Sequence, residues 1–280
     1  MEKIALITDS AADLPKEIIN KYNINVLPFR IIYSNGEYKD GVDITPDEVY
    51  SSLEKEIPST SLPSMEEMEN LFSTLEKEGY THAICIHISS TLSGTANSIR
   101  LVAENHPNIT SYIYDTKTLT GAQGDIVIET AKSIENGSSY ENIINMLPEL
   151  RKKVHCFFTI DTLLYLKKGG RIGRVAGTIG ELLNLKPIIE VADDGIYNTY
   201  AKARGRKQAI KKLHKILDNF LSKGKCNIAV LHGHAKKDCI DFYNSIKDNP
   251  NILDIRTGEI SPSLGINTGA GLIGLIIQEV

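Results

Sequence analysis

No apolar run in this chain approaches the ~20 residues that a membrane-spanning helix needs, so no span is expected. There is no C-x-x-C pair either; the four cysteines, Cys85, Cys156, Cys226 and Cys239, are scattered. Three of them, Cys85, Cys156 and Cys226, lie in apolar, strand-like surroundings, the common setting of buried free thiols, which points to a reduced, cytoplasmic chain. The first ten residues carry one basic side chain and run at once into a strand-like stretch and an aspartate, unlike a signal peptide. No excess of one charge exists: 31 Lys and Arg against 35 Asp and Glu leave −4 and a pI near 6.0, which gives no basis for nucleic-acid binding. G-x-S-x-G is missing, and with it the nucleophile elbow. No early strand leads into G-x-G-x-x-G, so a dinucleotide site is not expected. Repeats and low-complexity tracts are absent. The remainder is ordinary, 41% hydrophobic and 24% charged over 280 residues, enough for a large core and for two domains as readily as one.

What is present is organised around Ile84 to Arg100. Ile84 to Ile88 predicts a buried strand. Ser89, Ser90, Thr91, Ser93 and Gly94 follow, and a helix can begin at Thr95. Free amides and the positive helix end make that order a ready anion site. Ser93 as a simple N-cap of the helix is the alternative.

Along the chain, Ile4 to Thr8 is a strand, and Asp13 as N-cap opens a helix to Lys21. Val26 to Tyr33 is a second strand with a hairpin turn at Asn35-Gly36. Thr45-Pro-Asp-Glu48 and Ser64 with Glu67 are capping boxes, on either side of a stiff loop from Pro58 to Ser64. A strand at 111–115, helices over 121–135 and 139–153, and a strand at 155–159 lead to a glycine-rich corner, Gly169 to Arg174. A helix to about Asn184, a hairpin turning at 193–195, a helix over 206–221 and a strand–helix pair at 227–246 follow, with closing strands at 252–259 and 272–278. The alternation of strand and helix reads as α/β, with a boundary between domains 1–158 and 159–280.

Each candidate has a plainer account. Thr60-Ser61 can be a surface turn. Asp9-Ser10 sits where open α/β sheets bind ligands, yet an aspartate there also caps a helix. His232-Gly233-His234 has metal-like spacing without a third ligand, and solvated imidazoles in a turn are the default, so no metal is assigned. Arg171, Arg174, Arg204, Arg206 and Lys207 are solvated surface by default. Arg171 stands apart, because a glycine corner can bring its guanidinium to a phosphate or carboxylate.

Seven stretches in order resemble one family over essentially the full length. They are Ile7-Thr-Asp-Ser10 with Asp13-Leu-Pro15, Thr60-Ser-Leu-Pro-Ser64, Ser89-Ser-Thr-Leu-Ser-Gly-Thr95 and Tyr114-Asp-Thr116. To these add Leu166-Lys-Lys-Gly-Gly-Arg-Ile-Gly173 with Leu183-Asn-Leu-Lys-Pro187, Ala203-Arg-Gly-Arg-Lys207 and Gly265-Ile-Asn-Thr-Gly-Ala-Gly271. The chain resembles the DegV family. That resemblance implies a two-domain fold, an N-terminal parallel-sheet α/β domain and a C-terminal α/β domain with a mixed sheet, with a long-chain fatty acid between them. It implies a non-enzymatic, cytoplasmic carrier without cofactor, similar to the acyl-binding subunit of bacterial fatty acid kinase. Such a subunit presents the carboxylate to a separate kinase and meets a membrane surface only transiently. Carried across, Thr60, Ser61, Ser93, Gly94 and Asn267 would hold the carboxylate, and Arg171 and Arg204 would contact the partner or a phosphate. The rival reading makes Ser93 a nucleophile on an acyl substrate, or sets Asp9 and His87 to acid–base work.

One position departs from the family pattern. His-Thr-Gly-Pro-Gly is usual where this chain has Asn267-Thr-Gly-Ala270-Gly271. Asparagine can donate a hydrogen bond but cannot become cationic. Asn267→His is therefore expected to tighten fatty-acid binding or to enable acyl-phosphate formation with a kinase. An unchanged dissociation constant together with an unchanged acyl-phosphate yield would refute this.

Overall fold

The computed structural model describes residues 2–178 and 185–280. Its first half contains β1 (Ile4–Asp9), α1 (Lys16–Tyr22), β2 (Asn25–Leu27), β3 (Arg30–Tyr33), β4 (Gly36–Lys39), α2 (Pro46–Ser52) and β5 (Ser59–Ser61). Then come α3 (Met65–Lys77), β6 (His82–His87), α4 (Thr95–Glu104), β7 (Thr110–Asp115), α5 (Thr120–Glu135) and α6 (Tyr140–Lys153). The second half has β8 (Val154–Thr159), α7 (Leu164–Lys168), β9 (Leu185–Val191), β10 (Tyr197–Arg204), α8 (Gly205–Leu221) and β11 (Cys226–Gly233). It closes with α9 (Lys236–Ile246), β12 (Ile252–Glu259), α10 (Pro262–Thr268) and β13 (Leu272–Glu279).

Four parallel strands in the order β2-β1-β6-β7 form the first sheet. Its two central strands are apolar on both faces, as strands covered on both sides must be. Ala5, Ile7, Ala83 and Cys85 pack on Met68 and Phe72 of α3 and on Ile99 and Val102 of α4. Leu6, Ile84 and Ile86 face Ile126 of α5 and Ile143 and Leu147 of α6. The second sheet runs β10-β9-β8-β13-β11-β12 and is antiparallel except for β11 with β12. Helices α8 and α9 cover one face, and α5 and α6 the other. The fold is thus α/β with a parallel N-terminal sheet and a mixed C-terminal one. A third, antiparallel sheet, β4-β3-β5, packs with α2 and α10 around Ile31, Val49, Tyr50 and Ile266.

Helix α5 lies between the two large sheets and is buried continuously from Thr120 to Val127. Sheets can close on both sides of it only where side chains are small. A Cβ on Gly121 would come within 3.1 Å of both Leu231 and Ile276, and one on Gly124 within 2.6 Å of the Ala12 carbonyl. Gln123 donates to the Thr8 hydroxyl at 3.1 Å and to Asp9 at 3.0 Å, while its side-chain oxygen has no partner among the described residues, and Asp125 pairs with Arg256 at 2.5 Å.

Several expectations are corrected. The second strand is broken at Pro28-Phe29, so β2 joins the parallel sheet while β3 joins the small one; proline removes the donor that a continuous strand would need there. The loop from Pro58 contains β5, paired to β3. Asp13 does not cap α1: it has φ 47° and its carboxylate turns to Ser261 and Thr120, while Pro15 takes the cap position. At Ser64 only half of the capping box forms, because Glu67 is drawn to Arg30 and Lys39. Helix α10 was not expected at all. The helix expected to reach about Asn184, and the Leu183 to Asn184 part of the matching stretch, fall outside the described residues. The four cysteines are free and buried, as the sequence predicts for three of them.

Gly124→Ala tests the tight seam at α5. Alanine favours a helix over glycine by up to about 1 kcal/mol, but here its methyl would press on backbone. The variant is expected to be roughly 1–3 kcal/mol less stable in urea unfolding; an unchanged or raised midpoint would refute the seam.

Candidate functional site

The chain winds from β1 to β2 on one side and from β6 to β7 on the other, so a crevice opens between the carboxyl ends of β1 and β6. A cavity of about 350 Å³ lies there. Four segments distant in sequence wall it: β5, the loop after β6, the corner after α7, and α10.

Thr60 and Ser61 come from β5, whose other edge carries no partner strand. Neither hydroxyl has a protein partner among the described residues. Ser93 and Gly94 come from the hydroxyl-rich loop. Gly94, not Ser93, is the N-cap of α4 and has no side chain to cap it, while Ser93 Oγ accepts only a long 3.4 Å hydrogen bond from the Thr95 amide. The amides of Gly94 and Ala96 consequently have no protein acceptor among the described residues. Ser93 Oγ lies 2.8 Å from Thr95 Oγ1; when the threonine donates, the serine proton is left for a ligand. The loop is held from below by Ser89 and Thr91, whose hydroxyls reach the Gly195 carbonyl at 3.3 and 2.7 Å. Gly195 has φ +84°, and a Cβ on it would strike Ser89 Oγ, so the 193–195 turn seats on the loop only as glycine.

Asn267 projects from α10, and its amide donates to the Ser263 carbonyl at 2.9 Å. The corner beyond α7 approaches so closely that a Cβ on Gly169 would strike Asn267 Oδ1. This approach delivers Arg171 to the cavity wall. Its Nε donates to the Leu92 carbonyl at 3.2 Å and Nη1 to Gly169, and it has no carboxylate partner among the described residues. Arg204 is not part of this lining; it ends β10, where its backbone amide donates to Gln208. The structure thus brings Thr60, Ser61, Ser93, Gly94, Arg171 and Asn267 together and leaves Arg204 apart.

Apolar and aromatic walls were not foreseen. Phe29, Ile88, Leu92, Leu119, Tyr197 and Leu264 close the cavity behind the polar groups. A second cavity of about 30 Å³ shares Leu119, Tyr197, Leu264 and Asn267 and continues among Cys156, Phe158, Leu231 and Leu272. Burial pushes the Tyr197 phenol up, with Arg171 opposing. Position-specific signals for these residues were weak, since an apolar strand or helix residue looks alike whether it meets core or cavity. Helix α10 did carry a signal, Pro262 at its first position and Gly269 past its end. Asp9 and His87 do meet, at 3.0 Å, but both are fully buried and neither lines the cavity. Asp9 also accepts from the amides of Ala11 and Ile88, which makes it a cap for the turn after β1.

The model of a family described as "Uncharacterised protein, DegV family" matches residues 3–280. A DegV domain-containing protein of Clostridium acetobutylicum is 50% identical over 280 residues, covering 100% of both chains. Among solved structures, DegV of Bacillus subtilis, described as a fatty acid binding protein, is 30% identical with a TM-score of 0.92 and covers 100% of both chains. A stearic acid-binding protein from Eubacterium ventriosum is also 30% identical, with a TM-score of 0.84, covering 100% of this chain and 98% of that one.

Two aspartates fix α10, and hence Asn267 and Leu264, to the N-terminal half. Asp40 accepts from the Ser263 amide at 3.0 Å, the Ser263 hydroxyl at 2.5 Å and the Ser10 hydroxyl at 2.6 Å. Asp13 accepts from the Ser261 amide at 2.8 Å and the Thr120 hydroxyl at 2.5 Å. Burial pushes both carboxyls up, offset in part by these hydrogen bonds. The pKa of Asp13 reaches about 7.

A carboxyl group that holds its proton more tightly folded than unfolded destabilises the native state as pH rises, because the unfolded chain ionises first. The loss runs from the ordinary value of 3.8 to about 7 and then levels off. It amounts to about 4 kcal/mol. Asp13→Asn keeps the shape without the charge. The urea stability of the wild type relative to Asp13→Asn is expected to fall across that window, and a flat difference would overturn the assignment.

Proposed function

The chain belongs to the DegV family, and we propose that its cavity binds a long-chain fatty acid between the two domains, 1–158 and 159–280. The observation that carries this reading is the separation of polarity within one pocket. Three unpaired or half-paired hydroxyls, two open amides at the head of α4 and the Arg171 guanidinium share its lining. The rest of the lining is largely apolar, and through Leu119, Tyr197 and Leu264 it is shared with the smaller, mostly apolar cavity. Such a head holds a carboxylate by charge-assisted hydrogen bonds and by the helix dipole. The tail needs no polar group, since each buried methylene contributes about 0.8 kcal/mol. Thr60, Ser61, Ser93, Gly94 and Asn267 form the head of the site. The described relatives that bind fatty acids support the ligand class.

A carboxylate held on one side by hydroxyls and amides keeps lone pairs open on the other. The carrier then presents the acid to a separate kinase for acyl-phosphate formation, with Arg171 and Arg204 as candidate contacts for that partner or its phosphate. No observation favours Ser93 as a nucleophile: its hydroxyl partner is Thr95, and no imidazole bonds to it among the described residues.

Native mass spectrometry of the purified protein is expected to show a co-purifying long-chain fatty acid, and repeated empty preparations would overturn the proposal. Ser93→Ala should weaken binding by about 1.5–3 kcal/mol, the range for a hydrogen bond to a charged group, as read by fluorescent fatty-acid displacement.

A further inference from the structure

Away from the cavity, three side chains from three elements converge where β11 and β12 end. His234 follows β11, Glu259 closes β12, and Asp47 stands in the first turn of α2. One ring nitrogen and one oxygen of each carboxylate lie within 4.8 Å of one another. His232 stands beside this group without belonging to it. Its Nδ1 lies 3.4 Å from Glu259 Oε1, and His234 Nδ1 lies 3.5 Å from Asp47 Oδ1.

His232 is not the solvated imidazole expected from the His-Gly-His spacing. It is 8% exposed, and its Nδ1 has no hydrogen-bond partner. A buried polar atom left so costs about 1–3 kcal/mol, which calls for a ligand. The separations indicate which kind. Donors held ~2.0–2.1 Å from one tetrahedral ion lie roughly 3.3–3.4 Å from each other, and two of the pairs, His232 with Glu259 and His234 with Asp47, already stand at 3.4 and 3.5 Å. The Glu259 carboxylate is also oriented, since Oε1 accepts from the His234 amide at 3.1 Å. His106 forms the contrast: both of its ring nitrogens are satisfied, by Glu69 at 2.9 Å and Glu76 at 3.1 Å.

We propose that Asp47, His234 and Glu259 bind a divalent cation of the zinc class, with the His232 side chain turning in to complete the set. Two imidazoles suit a borderline-soft ion, and two carboxylates neutralise its charge. The ion ties α2, and with it the small sheet that carries Thr60 and Ser61, to the C-terminal sheet. None of the four ligands lines the 350 Å³ cavity.

The full-length protein, equilibrated with zinc chloride and desalted, is expected to retain one zinc per chain by elemental mass spectrometry. Cobalt(II) in its place should give the visible absorption bands of a four-coordinate site. His232→Ala and Glu259→Gln should each abolish retention, while Glu69→Gln, at the satisfied His106 cluster, should leave it unchanged. Asp47 is 80% exposed, so Asp47→Asn keeps the fold and should also lose the metal, which separates ligand loss from unfolding. Absence of zinc from the wild type, or retention indifferent to Asp47→Asn and Glu259→Gln, would overturn the proposal.

Discussion

Two enclosed carboxylates, Asp13 and Asp40, hold the first turn of α10, and the candidate site depends on that grip. They reach from the first forty residues to Ser261 and Ser263 near the end of the chain. Each accepts a backbone amide that a helix start leaves unsatisfied, so the acids supply the caps that α10's own sequence does not. The cost is desolvation of two acidic groups within reach of each other's charge. Hydrogen bonds from Ser10, Ser263 and Thr120 offset that cost. Without the pair, the wall bearing Leu264 and Asn267 would have no fixed position against the hydroxyl-rich loop.

Much of this was legible in the residues, and the failures have definite causes. Apolar runs at Ile4 and Ile84 and the capping box at Thr45 are local signals, and local structure followed them, whereas the hairpin expected at Asn35-Gly36 turns one residue earlier, at Ser34-Asn35, with Gly36 already paired to Tyr33. The loop from Ser89 stands out as a candidate anion site because strand, small residues and helix follow one another directly. Asp13 misled, since an aspartate two residues before Pro15 looks like a helix cap, and only tertiary contact with Ser261 decides otherwise. Residues 262–268 do not read as a helix from composition because the segment is short and carries Gly265 at its centre, although the proline and glycine at its ends mark a helix. That Arg171 faces the cavity and Arg204 does not could not be read from charge and glycine content, which both corners share.

Close packing elsewhere leaves room for the cavity where it is. Along α5 the two sheets approach to glycine contact at Gly121 and Gly124. Further along the same interface the chain places Tyr197, Leu119 and Leu264 instead, and these side chains bound the two cavities. Glycines at 169 and 195 act differently: they let a corner and a turn of the second half press against Asn267 and Ser89, so the polar end of the site is assembled by backbone approach.

Residues 60, 93, 171 and 267 converge only when both halves of the chain are in place. Any molecule seated among them binds the native state and not the unfolded one, and by mass action it stabilises the whole fold by RT ln(1 + [L]/Kd). The relation also runs in reverse. Substitutions far from the cavity that loosen the α5 interface would lower apparent affinity through the population of the assembled state, with every contact to the ligand intact. Affinity here is thus an equilibrium property of the folded chain as much as of its pocket.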